Sequence, residues 1–220
     1  MRLTEREHCF LIEDFFENGI IAGFTKKTLL GNIPEDIHAV LYKIMDDYSV
    51  AYLNQPHSAV IQTIDKKGLY EGDGLFTDAK NLVLAVRTAD CLPVFIADAA
   101  KSSIGIVHMG WLSAKKGILD NLPADLANCK VACGVGLRKC CYAVGIEFLG
   151  FGELSSFLEG QRRNFDVIAF TKEKVSSKGL HRENFLDINI CSLCSGNFSN
   201  RRNGTTNRTL SFIVNYAGYC

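Results

Sequence analysis

A chain of 220 residues, 47% hydrophobic and 22% charged, has the composition of an ordinary globular protein and is long enough for one sizeable core. Its 24 basic side chains match its 24 acidic ones, so no net field draws it to nucleic acid or to an anionic membrane surface, and a small-molecule partner is favoured by elimination. The charged opening Met1 to His8 lacks the apolar core of a secretory signal, and no apolar run is long enough to span a bilayer, which predicts a cytoplasmic protein.

Residues 6–24 mix acidic and apolar positions and end in Gly-Ile-Ile-Ala-Gly-Phe, a strand entering from a solvated segment. Pro34, followed by Ile37, Val40, Leu41 and Ile44 at helical spacing, predicts a helix to about Asp47. A strand over Ala59 to Ile64 comes next, and Gly72-Asp73-Gly74 turns the chain into Leu75-Phe-Thr. Three short runs rich in branched residues, Leu82 to Val86, Val94 to Ala97 and Ile104 to Val107, have the character of buried sheet. Trp111 to Leu122 is predicted helical, closed by Pro123, and Val131 to Val135 is a further strand. Helical patterns cover Glu147 to Leu158 and Thr171 to Lys178, the second stopped by Gly179. Leu186 to Ile190 and Leu210 to Val214 are strands, and the Asn/Arg/Gly-rich stretch 200–208 is a loop.

Strands and helices do not alternate strictly, so an α+β architecture with a mixed sheet is expected over a doubly wound parallel sheet. No repeat or linker divides residues 1–220, which predicts a single domain, and no glycine-rich phosphate loop follows a strand.

Three side chains suggest chemistry. His57 lies in Gln-Pro-His, Cys91 ends Thr-Ala-Asp-Cys, and His108 stands at the end of an apolar run. Nitrogen and sulfur donors of this kind suit zinc, and three protein ligands leave a fourth position open, as in catalytic zinc sites. The same residues suit a metal-independent cysteine hydrolase, with Cys91 as nucleophile and His57 or His108 as its base. Asp73 and Asp90 could orient a histidine or move a proton in either scheme, and capping or turn-forming is their plain structural alternative. Arg201 and Arg202 could clasp a phosphate through paired guanidinium donors, although a solvated basic loop has the same composition.

Nine cysteines, an odd number, cannot all pair within one chain, which predicts reduced thiols. Adjacent Cys140 and Cys141 are awkward to bridge to each other, and Cys191-Ser-Leu-Cys194 is a C-x-x-C without a second pair at zinc-ribbon spacing.

Gly72-Asp-Gly-Leu-Phe-Thr, Leu84-Ala-Val-Arg-Thr-Ala-Asp-Cys-Leu-Pro-Val, Val107-His-Met-Gly-Trp, Lys139-Cys-Cys-Tyr-Ala-Val-Gly, Cys191 and Asn197-Phe-Ser-Asn-Arg-Arg-Asn-Gly follow one another in an order that resembles the laccase-domain family, also described as multicopper polyphenol oxidase-like or peptidoglycan editing factor proteins. The resemblance implies a single α+β domain with mixed sheets packed between helical layers, similar to deamidating cysteine-hydrolase toxins. It implies a zinc-dependent purine nucleoside phosphorylase acting on adenosine, inosine, guanosine and methylthioadenosine with phosphate, with adenosine deaminase activity as well. By motif the metal ligands are His57, Cys91 and His108. Asp73, Asp90 and Cys140 fall in the catalytic set, and Arg201 and Arg202 in the phosphate set. A catalytically silent metal-binding member is the remaining alternative. Copper is set aside in favour of Zn2+, because multicopper centres need many more histidines than the five present. The chain departs from the family's Ala-Gly-Trp-Arg-Gly with Met109-Gly-Trp-Leu112-Ser113, so an arginine expected near the site is missing and Lys115 or Lys116 is expected to stand in for it. The usual Gly-Pro before the paired cysteines is replaced by Arg138-Lys139.

Overall fold

Successive side chains of a strand point to opposite faces, so a strand apolar at every position must be covered on both sides. The chain obeys this rule in its computed structural model, which describes residues 1–17, 19–26, 33–98, 100–123, 125–161, 163–196 and 208–218. The strands among the described residues are β1 (Arg2–Glu5), β2 (Cys9–Glu13), β3 (Ile20–Thr25), β4 (Ser49–Asn54), β5 (Ile61–Thr63), β6 (Gly68–Glu71), β7 (Gly74–Thr77), β8 (Leu82–Thr88), β9 (Leu92–Asp98), β10 (Ser103–Met109), β11 (Cys129–Cys133), β12 (Leu158–Glu159), β13 (Asn164–Phe165), β14 (Phe185–Asp187) and β15 (Thr209–Asn215). The α-helices among the described residues are α1 (Ile33–Leu41), α2 (Trp111–Lys115) and α3 (Val167–Ser176).

A seven-stranded sheet runs in the order β1-β2-β3-β15-β8-β4-β6, a six-stranded sheet in the order β14-β11-β9-β10-β7-β5, and β12 and β13 form a small ribbon. Both large sheets are mixed: β4 is parallel to β6 and β8, β5 to β7, and β11 to β14, among antiparallel neighbours. Leu82, Leu84 and Val86 of β8 meet Phe95 and Ala97 of β9 and Ile104 and Ile106 of β10 in a core shared by the two sheets. The alternate residues Val83 and Ala85 turn outward onto Ile37, Val40 and Leu41 of α1. On the far face Val94, Ile96 and Val107 pack with Ala114 of α2 and Phe170 and Val175 of α3. The architecture is therefore α+β, with mixed sheets face to face between helical layers, as the sequence led one to expect. No helix among the described residues is long and apolar enough to cross a membrane.

The three branched runs are strands β8, β9 and β10, while the helices are shorter than their periodicity predicts. The α1 helix ends at Leu41, and Tyr42 to Ile44 continue only as turns. Asp46 and Asp47 would have stood at the negative end of a longer helix dipole. The expected helix from Trp111 to Leu122 keeps α-geometry to Lys115 and breaks at Gly117, whose backbone is left-handed at φ 82°. Glu147 to Leu158 forms two 3-10 segments, Ile146–Gly150 and Gly152–Phe157, separated where Gly152 takes φ 54°. The α3 helix starts earlier than expected, at Val167, because the Asp166 carboxylate accepts a hydrogen bond from Ala169 N at 2.9 Å and caps it.

Candidate metal centre and active site

Strand register assembles the site. β10 pairs antiparallel with β9, placing His108 opposite Pro93 and Met109 opposite Leu92, so the chain just before β9 lies beside the chain just after β10. Cys91 is thereby brought against Gly110. A Cβ built on Gly110 would lie 2.8 Å from Cys91 Sγ and 3.1 Å from His57 Cδ2, so only glycine leaves room for the two side chains. On its other edge β10 pairs with β7, Val107 opposite Gly74, and His108 N donates to Asp73 O at 2.7 Å. His57 arrives from the seven-stranded side, on the connection between β4 and β5, with its backbone held left-handed at φ 57°. The Gln55 side chain secures that connection: its Nε2 donates to Arg87 O at 2.8 Å and its Oε1 accepts from Arg87 N at 2.9 Å.

One donor atom from each of His57, Cys91 and His108 lies within 4.8 Å of the others, a set that could hold a metal ion. Cys91 Sγ is 3.7 Å from His57 Nε2, and the two imidazoles meet edge to face with centroids 4.9 Å apart. Asp73 is fully buried and accepts hydrogen bonds from His57 N at 3.2 Å, Ser58 N at 2.5 Å, Ser58 Oγ at 2.7 Å and His108 Nδ1 at 2.8 Å. A carboxylate can only accept, so Nδ1 of His108 carries the proton and Nε2 is directed to the cluster, the arrangement that orients metal-ligating histidines. The donor chemistry, the buried carboxylate behind His108 and the cleared space at Gly110 all fit a bound metal ion.

The same contacts set the charges. Burial alone would raise the Cys91 thiol, but hydrogen bonds from His108 and His57 outweigh it and bring the thiol down to about 6. Burial disfavours the charged His108 imidazole, yet Asp73 on one side and Cys91 on the other push it up to about 9. Asp73 would likewise be raised by burial, and donation from His108 and Ser58 holds it below the usual carboxylate range.

The three donors border a cavity of about 490 Å³ where the chain crosses from one sheet to the other, lined also by Asn54, Gln55, Arg87, Ala89, Asp90, Trp111, Leu137, Tyr142 and Arg208. A larger cleft of about 790 Å³ lies between the β1–β3 edge and α1. Its charged groups largely pair with one another, Arg2 with Glu13 and Lys43 with Glu7, and it holds none of the clustered donors.

Among the residues singled out from sequence, His57, Cys91, His108 and Asp90 line the cavity, and Asp73 sits behind His108. Asp90 also has a left-handed backbone, φ 90°, and its Oδ1 accepts from Ser192 Oγ at 2.9 Å. Cys140 does not line the cavity and stands instead in a cluster with Cys141, Cys191 and Cys194. Arg201 and Arg202 lie outside the described residues. Neither lysine expected to replace the missing arginine reaches the cavity: Lys116 Nζ donates to His57 O at 2.8 Å, and Lys115 Nζ lies 3.7 Å from the centre of the Phe151 ring. The residue that sequence reasoning passed over is Arg87. It stood in plain view four residues before Cys91, but nothing in the linear pattern shows that the exposed end of β8 points into the same cavity.

The fold and the site together define a mixed-sheet α+β protein with a His-Cys-His cluster able to take a metal ion. The chain belongs to the multi-copper polyphenol oxidoreductase laccase family, whose model matches residues 32–215. A relative from Clostridium acetobutylicum named purine nucleoside phosphorylase is 35% identical over 187 residues, covering 75% of this chain and 76% of the relative. Another of the same name from Aquifex aeolicus is 32% identical, covering 70% and 77%. The fold is shared with the Bacillus licheniformis hypothetical protein YfiH, at a TM-score of 0.83 and 22% identity over 96% of this chain and 97% of that one. YlmD from Geobacillus stearothermophilus matches at a TM-score of 0.82 and 20% identity, over 97% and 98%.

Proposed function

We propose that this chain is a cytoplasmic, zinc-dependent purine nucleoside phosphorylase, cleaving adenosine, inosine, guanosine and methylthioadenosine with phosphate to the free base and the ribose 1-phosphate, and that it also deaminates adenosine. The observation that carries the reading is one cavity bordered by three metal-type donors, an indole ring and two guanidinium groups. Relatives over 30% identical carry the name purine nucleoside phosphorylase. His57, Cys91 and His108 would hold the ion; two imidazoles with a thiolate favour zinc over magnesium or calcium, which prefer oxygen donors. Bound zinc would supply Lewis acidity toward an electronegative substrate atom.

The chain's own residues supply the rest. Trp111, half-exposed on the cavity wall, offers a face on which a purine can stack, and its other neighbour Phe151 lies nearly parallel with centroids 5.6 Å apart. Arg87 and Arg208 offer guanidinium groups to phosphate. In phosphorolysis the C1′–N9 bond breaks with its electrons going to the purine while a phosphate oxygen bonds to C1′. Asp90, beside Cys91 on the wall, is the group to place a proton on the departing base, and in deamination to move one to the leaving amino group. Asp73, enclosed and engaged on both oxygens, orients His108.

A second reading is favoured by one feature, the Cys91 thiol brought down to about 6 beside two imidazoles, which also suits a metal-independent nucleophile. Chelation separates the two: a zinc enzyme loses activity and regains it on adding metal, whereas a Cys91 hydrolase keeps it. The direct test is His108→Ala, with bound zinc measured by elemental analysis and released adenine and hypoxanthine by chromatography. Loss of turnover and of the zinc held by His57, Cys91 and His108 is expected, and a variant with unchanged metal content and turnover would reject the ligand assignment.

A further inference from the structure

We propose that Cys140, Cys141, Cys191 and Cys194 form a second metal site, a closed tetrathiolate for a zinc ion that clasps two chain segments behind the cavity. One sulfur from each lies within 4.8 Å of the others, although the two pairs are fifty residues apart in sequence. Cys140 Sγ is 3.8 Å and Cys141 Sγ 3.3 Å from Cys194 Sγ. Four sulfurs placed tetrahedrally at about 2.3 Å from zinc stand about 3.8 Å apart, whereas a disulfide brings its sulfurs to about 2.05 Å. Sulfurs 3.3 and 3.8 Å apart, with all four within 4.8 Å, stand well beyond a disulfide and close enough to share one ion. Four protein thiolates leave no position for substrate, which makes the site structural in type.

The surroundings hold the thiols in place. Backbone N–H groups of Cys194, Arg138 and Leu193 donate to the Cys191 sulfur, the orienting contact expected behind a metal-bound thiolate. Buried Arg138, which replaces the family's usual residue there, donates to Gly134 O at 2.7 Å, Gly136 O at 3.1 Å and Asp187 Oδ1 at 2.7 Å, locking the approach to Cys140 onto the strand leading to Cys191. Ser192 N donates to Gly136 O at 3.0 Å, and Gly136 bridges to Cys191. The clasp also reaches the active site: Ser192 Oγ donates to Asp90 Oδ1 at 2.9 Å and Leu137 N to Asp90 O at 2.8 Å, bracing the corner that presents Cys91. Cys140 is thus a positioning residue at one remove from the chemistry.

Metal counting on the reduced full chain tests the site independently of the proposed activity. Wild type should carry two equivalents of zinc, His108→Ala one, and Cys194→Ser one. Because Cys194→Ser could fail to fold, the second measurement is Co2+ loading of His108→Ala, which should give the intense sulfur-to-metal absorption of four-thiolate ligation and lose it on titration with a mercurial. One equivalent in wild type and none in His108→Ala would overturn the second site while leaving the first intact. Recovery of these four cysteines as disulfides from anaerobically purified protein would overturn it too, and iron in place of zinc would overturn the choice of ion.

Discussion

Replacing Asp73 by Asn changes one atom in a carboxylate that accepts hydrogen bonds from His57 N, Ser58 N, Ser58 Oγ and His108 Nδ1. Asn keeps one acceptor oxygen and sets an NH2 against donors. If the oxygen stays with Ser58, the amide confronts His108 Nδ1 and forces the imidazole proton onto Nε2, the nitrogen a metal would need. If it turns to His108, two Ser58 donors are left unpaired inside the protein. A buried donor left without a partner costs about 1–3 kcal/mol, so the metal-free variant should unfold at lower urea by that amount. Removing the group behind a ligating histidine typically weakens metal affinity about 10–100-fold, or about 1.4–2.7 kcal/mol. Chelator competition measures the affinity and urea unfolding the stability. Zinc affinity within a factor of two of wild type, as a ratio of dissociation constants, would show that Asp73 does not orient His108, whatever the stability.

Gly110→Ala places a methyl group 2.8 Å from Cys91 Sγ and 3.1 Å from His57 Cδ2. It should destabilise by about 1–3 kcal/mol and weaken zinc affinity, both read from the same titrations. In the metal-free chain Cys91 should react with iodoacetamide at half its limiting rate near pH 6, because the thiolate is lost as pH falls through about 6. Peptide mapping that placed this midpoint near the ordinary thiol value of about 8.5 would contradict the His108 and His57 contacts. Trp111→Ala should raise KM for nucleosides about 5- to 150-fold, the equivalent of a base–aromatic stack of about 1–3 kcal/mol, and leave KM for phosphate unchanged. Steady-state kinetics with each substrate varied in turn would expose an equal rise in both, which a stacking role does not allow.

Much of the sheet architecture was legible because burial on both faces leaves a direct mark on composition: Leu82 to Val86, Val94 to Ala97 and Ile104 to Val107 could be little else. The helices were less legible. Apolar spacing around Phe148 and Leu154 serves a 3-10 turn as well as an α-helix, and the left-handed glycines that end the α-geometry are visible as letters but not as angles. The edge strand β1 escaped notice because an exposed stretch held by Arg2, Thr4 and Glu13 carries no hydrophobic period, and β2 because its buried Cys9, Leu11 and Ile12 make only a short apolar run among acidic neighbours.

The residue types of the site were determined by the chain alone: two histidines, a cysteine between them and aspartates nearby, with donor chemistry suited to a soft ion. Their meeting was not, since His57 and Cys91 stand 34 positions apart and only the pairing of β10 with β9 and β7 brings Cys91 and Asp73 to either side of His108. Arg87 and the four-thiol cluster make the same point, the second because neither a Cys-Cys nor a C-x-x-C defines a ligand sphere until the fold sets one against the other. Local preference is written residue by residue, whereas coordination depends on distances between segments, and those exist only once the strands have found their register.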